Sequence, residues 1–224
     1  MESVEDRRTR VKAIIRKLDR AYPDADCQLN FSTPLELLVA TILAAQCTDE
    51  RVNMTTPELF EEYDSAEDYA NVHLNHLYSQ IRSCGTYRQK GKNIKAACQA
   101  IVEKHGGKVP DNIDDLASLP GLGRKSANVI LGNAFGVPSI IVDTHVLRLS
   151  GRLGLARQHN VEKKYADKVE RELLEVVPEA DRTRFSHLLA AHGRACCTAR
   201  KPRCPECPIL DLCPYEDKTP PEEL

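Results

Sequence analysis

The sequence predicts an all-α protein on three observations. Apolar residues recur at helical spacing along most of the chain, helix start and stop signals agree with that spacing, and one three-residue run alone is strand-like. In chain order, Val4, Val11, Ile14, Ile15 and Leu18 trace one face of a first helix. Thr33-Pro34-Leu35-Glu36 reads as a capping box with proline at the first helical position of a second. Further helices are predicted near 57–63 and 74–83. Ile94, Cys98, Ile101 and Val102 share the face of another, closed by Gly106-Gly107 ahead of Pro110. The remaining predicted helices lie near 112–118, 124–135, 144–153, 161–177 and 182–193. Ile140-Ile141-Val142 is too short for a sheet. The expectation is about ten short helices joined by brief loops. Composition marks no domain boundary, and no repeat or low-complexity tract is visible.

At 224 residues the chain is long enough for one large domain or two modest ones, and 42% apolar with 29% charged residues is a globular composition. No apolar stretch approaches the roughly 18 residues of a membrane span. The opening MESVEDRRTR has mixed charge and no apolar run behind it, so it is not a secretory signal. The expectation is a cytoplasmic protein with no membrane partner. A net charge of -2 hides segregation: seven of the first 20 residues are basic, and Arg194, Arg200, Lys201 and Arg203 crowd another short stretch. Acid gathers at Glu58, Glu61, Glu62, Asp64, Glu67 and Asp68, and in a tail with Glu216, Asp217, Glu222 and Glu223. One basic face is enough to attract a polyanion whatever the bulk charge, but a basic run counts only beside a phosphate-binding motif.

Nine cysteines without an export signal argue against a disulfide framework. Cys27, Cys47, Cys84 and Cys98 are scattered through helical patterns and read as small buried hydrophobes. Cys197, Cys204, Cys207 and Cys213 give C-x6-C-x2-C-x5-C, with Pro202, Pro205, Pro208 and Pro214 stiffening the loop. Four thiolates so close read as one tetrahedral site, and spacing leaves zinc and a [4Fe–4S] cluster both open. Cys196 fits no ligand position.

The segment LPGLGRKSANVIL sets Gly121 and Gly123 around Leu122, with Arg124 and Lys125 opening a helix. Glycine permits a tight hairpin, Leu122 plugs it into the core, and the backbone N–H groups of the turn and of the open helix start suit a phosphate. By itself such a turn is also an ordinary connection between packed helices.

Together LPGLGRKSANVIL, VDTHVLRLSGRLG and HGRACCTARKPRCPECPILDLCP resemble the successive landmarks of the endonuclease III family, helix-hairpin-helix DNA glycosylases with abasic-site (AP) lyase activity. The likeness runs from about residue 30 to Cys213 and implies two helical lobes with a DNA-binding cleft between them. It places residues 27–139 in a lobe ending in the hairpin near 119–125, and residues 1–26 plus 140–224 in a discontinuous lobe bearing the cluster. It implies that Lys125 attacks C1′ of a damaged nucleotide and that Asp143 assists. Such a lysine must be neutral, which a helix N-terminus, partial burial and neighbouring Arg124 all favour. Asp143 also reads as a helix N-cap, and His145 as a packed, hydrogen-bonded histidine.

The resemblance further implies a [4Fe–4S] cluster on Cys197, Cys204, Cys207 and Cys213, with Arg200, Lys201 and Arg203 meeting DNA phosphates beside Gly121, Leu122, Gly123 and Arg124. Gln46, in an AAQ-x-TD segment with Asp49, matches a residue that fills the gap left by the extruded nucleotide. A second wedge, leucine in many relatives, falls on Thr86, a departure in size and polarity. The implied protein is a monomer that excises damaged bases, oxidised pyrimidines above all, from double-stranded DNA and then cleaves 3′ of the abasic site. The alternatives are a monofunctional glycosylase of the same superfamily and a non-catalytic DNA-binding module with a structural metal. Lys125 and an end 11 residues past Cys213 disfavour the adenine-specific form of the first.

Overall fold

A computed structural model describes residues 2–220, so Glu222 and Glu223 of the acidic tail lie outside the described residues. The described chain forms twelve α-helices and short 3-10 turns, with no strand. It divides into two compact units, one of residues 27–137 and one of residues 1–26 with 138–224. No helix among the described residues is long and apolar enough to cross a membrane.

The 27–137 unit opens with α2 (Pro34–Ala44), which Thr33 caps by accepting from the Glu36 amide at 3.2 Å. The expected capping box is only half formed, because the Glu36 carboxylate accepts from the Ser32 amide rather than from that of the cap. α3 (Asp49–Glu62) begins well before the predicted 57–63. Thr48 caps it and Asp49 and Glu50 fill its first turn, so that it runs through Pro57. α4 (Ala66–Asn71) was not anticipated, although Ser65 and Asp68 form a capping box at its start. α5 (Leu74–Gln80) leads through a 3-10 turn, Arg82–Cys84, into α6 (Tyr87–His105), which Gly106 ends in the left-handed region at φ 59°. α7 (Ile113–Ser118) and α8 (Arg124–Ala134) complete the unit. Its core gathers Leu37, Leu38, Leu43, Leu77, Ile94 and Ile130. Cys84 and Cys98 are buried as expected, but Cys27 and Cys47 are only half-buried.

In the discontinuous unit α1 (Val4–Ala21) buries Val11, Ile14, Ile15 and Leu18. These pack with Val146 and Leu149 of α9 (Thr144–Arg152), Leu173 of α11 (Ala166–Val176), and Phe185 and Leu188 of α12 (Arg182–Ala195). The predicted helix at 161–177 is broken. α10 (Gln158–Glu162) ends short of Lys164, whose φ of 55° turns the chain before α11 begins. The strand-like run forms no strand. The Ile141 amide donates to Ser186 Oγ at 2.9 Å and the Ser139 amide to Thr183 Oγ1 at 3.2 Å, so side chains of α12 satisfy this backbone. Arg184 of α12 holds the end of α1, donating to Asp19 at 2.7 Å, to the carbonyls of Tyr22 and Pro23, and to that of Ala25.

Candidate nucleic-acid interface and thiolate site

In the 27–137 unit, α7 and α8 flank the glycine hairpin. The Leu122 amide donates to the Leu119 carbonyl at 3.1 Å, and Leu122 is buried with Leu116, Leu119 and Ala127. The two glycines differ in what they permit. Gly121 sits at φ 84°, and a Cβ there would lie 2.7 Å from the Cβ of Asn93. Gly123 has φ -126°, and a Cβ there would meet nothing within 4 Å. As N-cap of α8 it offers no side chain to the first-turn amides. Arg124 and Lys125 occupy that first turn and are exposed. The partial burial expected of Lys125 is therefore absent here: of the first turn of α8, Ala127 enters the unit's core while Arg124 and Lys125 stay exposed.

Gln46 and Thr86 belong to the same unit, and both are exposed. Gln46 follows α2 at φ 54° and Thr86 precedes α6 at φ 38°, left-handed conformations that non-glycine residues seldom adopt. Thr86 makes no side-chain cap for α6, and it borders a recess lined also by Tyr87, Arg88, Gln89 and Lys92.

Asp143 belongs to the discontinuous unit, where it caps α9 by accepting from the Val146 amide at 2.7 Å through Oδ1. Its second oxygen is not used by this cap. His145 is packed, with Arg148 Nη2 donating to its Nδ1 at 3.2 Å, and burial pushes it below the ordinary histidine value. The same helix grips the cysteine loop. Arg148 donates to the carbonyls of Gly193 at 3.0 Å and Cys197 at 2.9 Å, and Arg152 donates to Cys197 Sγ at 3.2 Å and the Thr198 carbonyl at 2.7 Å. Sequence reasoning missed both arginines; their only local signal was their presence in the VDTHVLRLSGRLG segment.

Cys197, Cys204, Cys207 and Cys213 line one recess, with Leu149, Ile209 and Tyr215 among its walls, and none of the four is in a disulfide. Desolvation pushes the Cys207 thiol up to about 12 and raises that of Cys213. Half-buried thiols of this kind ionise when a cation supplies the compensating charge, and Arg152 already aims a donor at one sulfur. The donor set fits a thiolate-bound metal group. A competing set, His192, Cys196 and Cys207, has its ligating atoms within 4.8 Å of one another. In that set His192 Nε2 lies 3.5 Å from Cys207 Sγ while its Nδ1 lies 2.9 Å from the Tyr22 hydroxyl, and Cys196 Sγ donates to the Arg203 carbonyl.

The basic residues sort by engagement. Arg200 and Lys201 are exposed between the first two cysteines, while Arg203 pairs with Glu206. On α1, Arg8 donates to the Glu175 carbonyl, Arg10 to those of Leu153 and Leu212, and Lys17 pairs with Asp211 at 2.7 Å. Much of the N-terminal basic run thus clamps its own unit.

Residues 39–179 match the family described as HhH-GPD superfamily base excision DNA repair protein, and residues 197–213 match the iron-sulfur binding domain of endonuclease III. That second span begins at Cys197 and ends at Cys213, leaving His192 and Cys196 outside and favouring the four-cysteine set. Endonuclease III of Synechocystis sp. is 46% identical over 96% of this chain and 94% of its own length, and that of Bacillus subtilis 46% over 91% of each. The solved structure of a trapped endonuclease III–DNA covalent intermediate is 42% identical, covers 92% of this chain and 95% of its own, and superposes with a TM-score of 0.84. A thermostable thymine-DNA glycosylase at 21% identity and a TM-score of 0.78 shares the fold. With motif order, sequence identity and fold agreeing over nearly its whole length, the chain belongs to the endonuclease III family.

Proposed function

We propose that the protein is a bifunctional DNA glycosylase and AP lyase of base excision repair, acting in the cytoplasm as a monomer on double-stranded DNA that carries an oxidised pyrimidine or an abasic site. The observation that carries this reading is Lys125, exposed in the first turn of a helix whose N-terminus opens at the glycine hairpin. Turn and first-turn amides receive a backbone phosphate of the target strand, and Gly123, with open space at its Cβ position, lets that strand approach closely. Arg124, Arg200 and Lys201 add attraction without sequence choice. Gln46 and Thr86 fill the gap left by the extruded nucleotide.

The chemistry starts from a neutral Lys125. Nζ bonds to C1′, the glycosidic bond breaks, and the base leaves with its electron pair. The nitrogen lone pair then opens the sugar ring, breaking C1′–O4′ as O4′ takes up a proton, and the imine so formed withdraws electrons, so that loss of the C2′ proton expels the 3′ phosphate. Asp143 accepts a proton from Lys125 and stabilises positive charge on the sugar through the carboxylate oxygen that the cap does not use. Cys197, Cys204, Cys207 and Cys213 would hold the [4Fe–4S] cluster, whose contribution when bound is to fix the loop bearing Arg200 and Lys201. Neither the substitution at C1′ nor the elimination involves net electron transfer.

Borohydride reduction in the presence of abasic duplex tests the assignment. The expected result is a covalent protein–DNA adduct that disappears in Lys125→Gln while DNA binding persists. An adduct of undiminished yield in that variant would exclude Lys125 as the nucleophile, and no adduct from the folded, cluster-loaded parent would exclude the lyase.

A further inference from the structure

Lys90 lies in the first turn of α6, carries no role in the chemistry, and is 3% exposed. Its Nζ donates to the Leu43 carbonyl at 2.7 Å and to the Cys84 carbonyl at 2.5 Å. Both acceptors are chain-end carbonyls of the kind a helix leaves unpaired, Leu43 in the last turn of α2 and Cys84 at the close of the 3-10 turn. Three residues past the first comes Gln46, and two past the second comes Thr86. Among the described residues only three non-glycine positions have positive φ, namely Gln46, Thr86 and Lys164. One buried side chain therefore anchors the backbone just ahead of two of them. Residues persist in such conformations where their surroundings over-determine them.

We propose that Lys90 is a positioning residue that presets Gln46 and Thr86 together, so that the two exposed side chains enter the duplex as one rigid wedge. This rests on the glycosylase reading above. Without Lys90 each segment relaxes separately, and ordering both falls on the moment of base extrusion, which weakens duplex opening and leaves the reaction of an already exposed sugar alone. The short, polar Thr86 sharpens the requirement, since a small wedge fills the gap only when it is accurately placed.

The test compares Lys90→Met in the cluster-loaded protein on two substrates, a duplex abasic site and a single-stranded abasic oligonucleotide that needs no opening. The expected result is about a tenfold or greater loss of borohydride-trappable imine rate on the duplex, a change under about twofold on the single strand, and a reduced fluorescence rise from 2-aminopurine opposite the site. On a Gln46→Ala, Thr86→Ala background, Lys90→Met should cost under about twofold more, since residues acting as a unit are non-additive. Equal losses on both substrates, or full additivity in that cycle, would overturn the proposal. If Lys90→Met does not fold, Lys90→Gln is used in the same cycle; it retains a donor but is too short to span both carbonyls. A parent protein that forms no imine on either substrate would count against the glycosylase reading instead, so the two failures are distinguishable.

Discussion

Asp143 combines two tasks that one substitution separates. Asparagine is as good an N-cap as aspartate, so Asp143→Asn is expected to keep the Val146 bond and unfold within about 0.5 kcal/mol of the parent. Losing the carboxylate's charge should slow base removal by about a hundredfold or more, read in single-turnover kinetics. Asp143→Ala should show the same slowing together with a stability loss of about 1 kcal/mol. His187 of α12 contributes to the pH dependence of stability, beside His145 and His192, which burial also holds below the ordinary histidine value. Burial holds His187 below the ordinary histidine value of 6.5, against Asp26, whose carboxylate lies 3.9 Å away and pulls the other way. The unfolded chain takes up a proton that the folded chain resists, so this contribution is complete above about pH 6.5 and is lost as pH falls from there towards the folded value. Urea midpoints at pH 7.5 and 5.5 should therefore drop in the parent, and the drop should be smaller in His187→Gln.

At the level of elements, the hairpin between α7 and α8 separates what folding requires from what a partner requires. Gly121→Ala meets both a left-handed φ and the Asn93 side chain, and should destabilise by about 1–3 kcal/mol in thermal or urea unfolding. Gly123→Ala meets neither, and should leave stability within about 0.5 kcal/mol while weakening binding to duplex DNA in a titration. Equal stability losses would mean that the second glycine serves the fold alone. The hairpin and the four cysteines were legible in the sequence because their residues are local and their spacing carries the chemistry. The start of α3 was not, because the predicted range 57–63 left out the Thr48 cap and the acidic first turn that follows it. Lys90 and Arg152 were illegible for a different reason. Each acts by donating to backbone carbonyls remote in sequence, Lys90 to one 47 positions away, and carbonyls carry no residue signature.

For the molecule as a whole, the division into units is the feature that composition left silent, since apolar spacing looks the same on both sides of each boundary. The resemblance supplied the return of the N-terminal segment, and packing explains it: Val11, Ile14, Ile15 and Leu18 belong to the core built from residues 140–209. Residues 27–137 have a core of their own. A fragment of those residues is expected to unfold cooperatively by circular dichroism, while a fragment of residues 138–224 should gain a cooperative transition only when a peptide of residues 1–26 is supplied. A cooperative transition in the second fragment alone would show that α1 decorates a core it does not complete. The same topology shapes biosynthesis. The apolar stripe of α1 leaves the ribosome first, yet its partners follow only after the whole intervening unit, a wait on the order of ten seconds at about 5–20 residues per second. Throughout that interval the stripe lacks the partners that cover it in the folded unit, so a factor that binds exposed apolar helices on nascent chains is expected to engage the opening residues first.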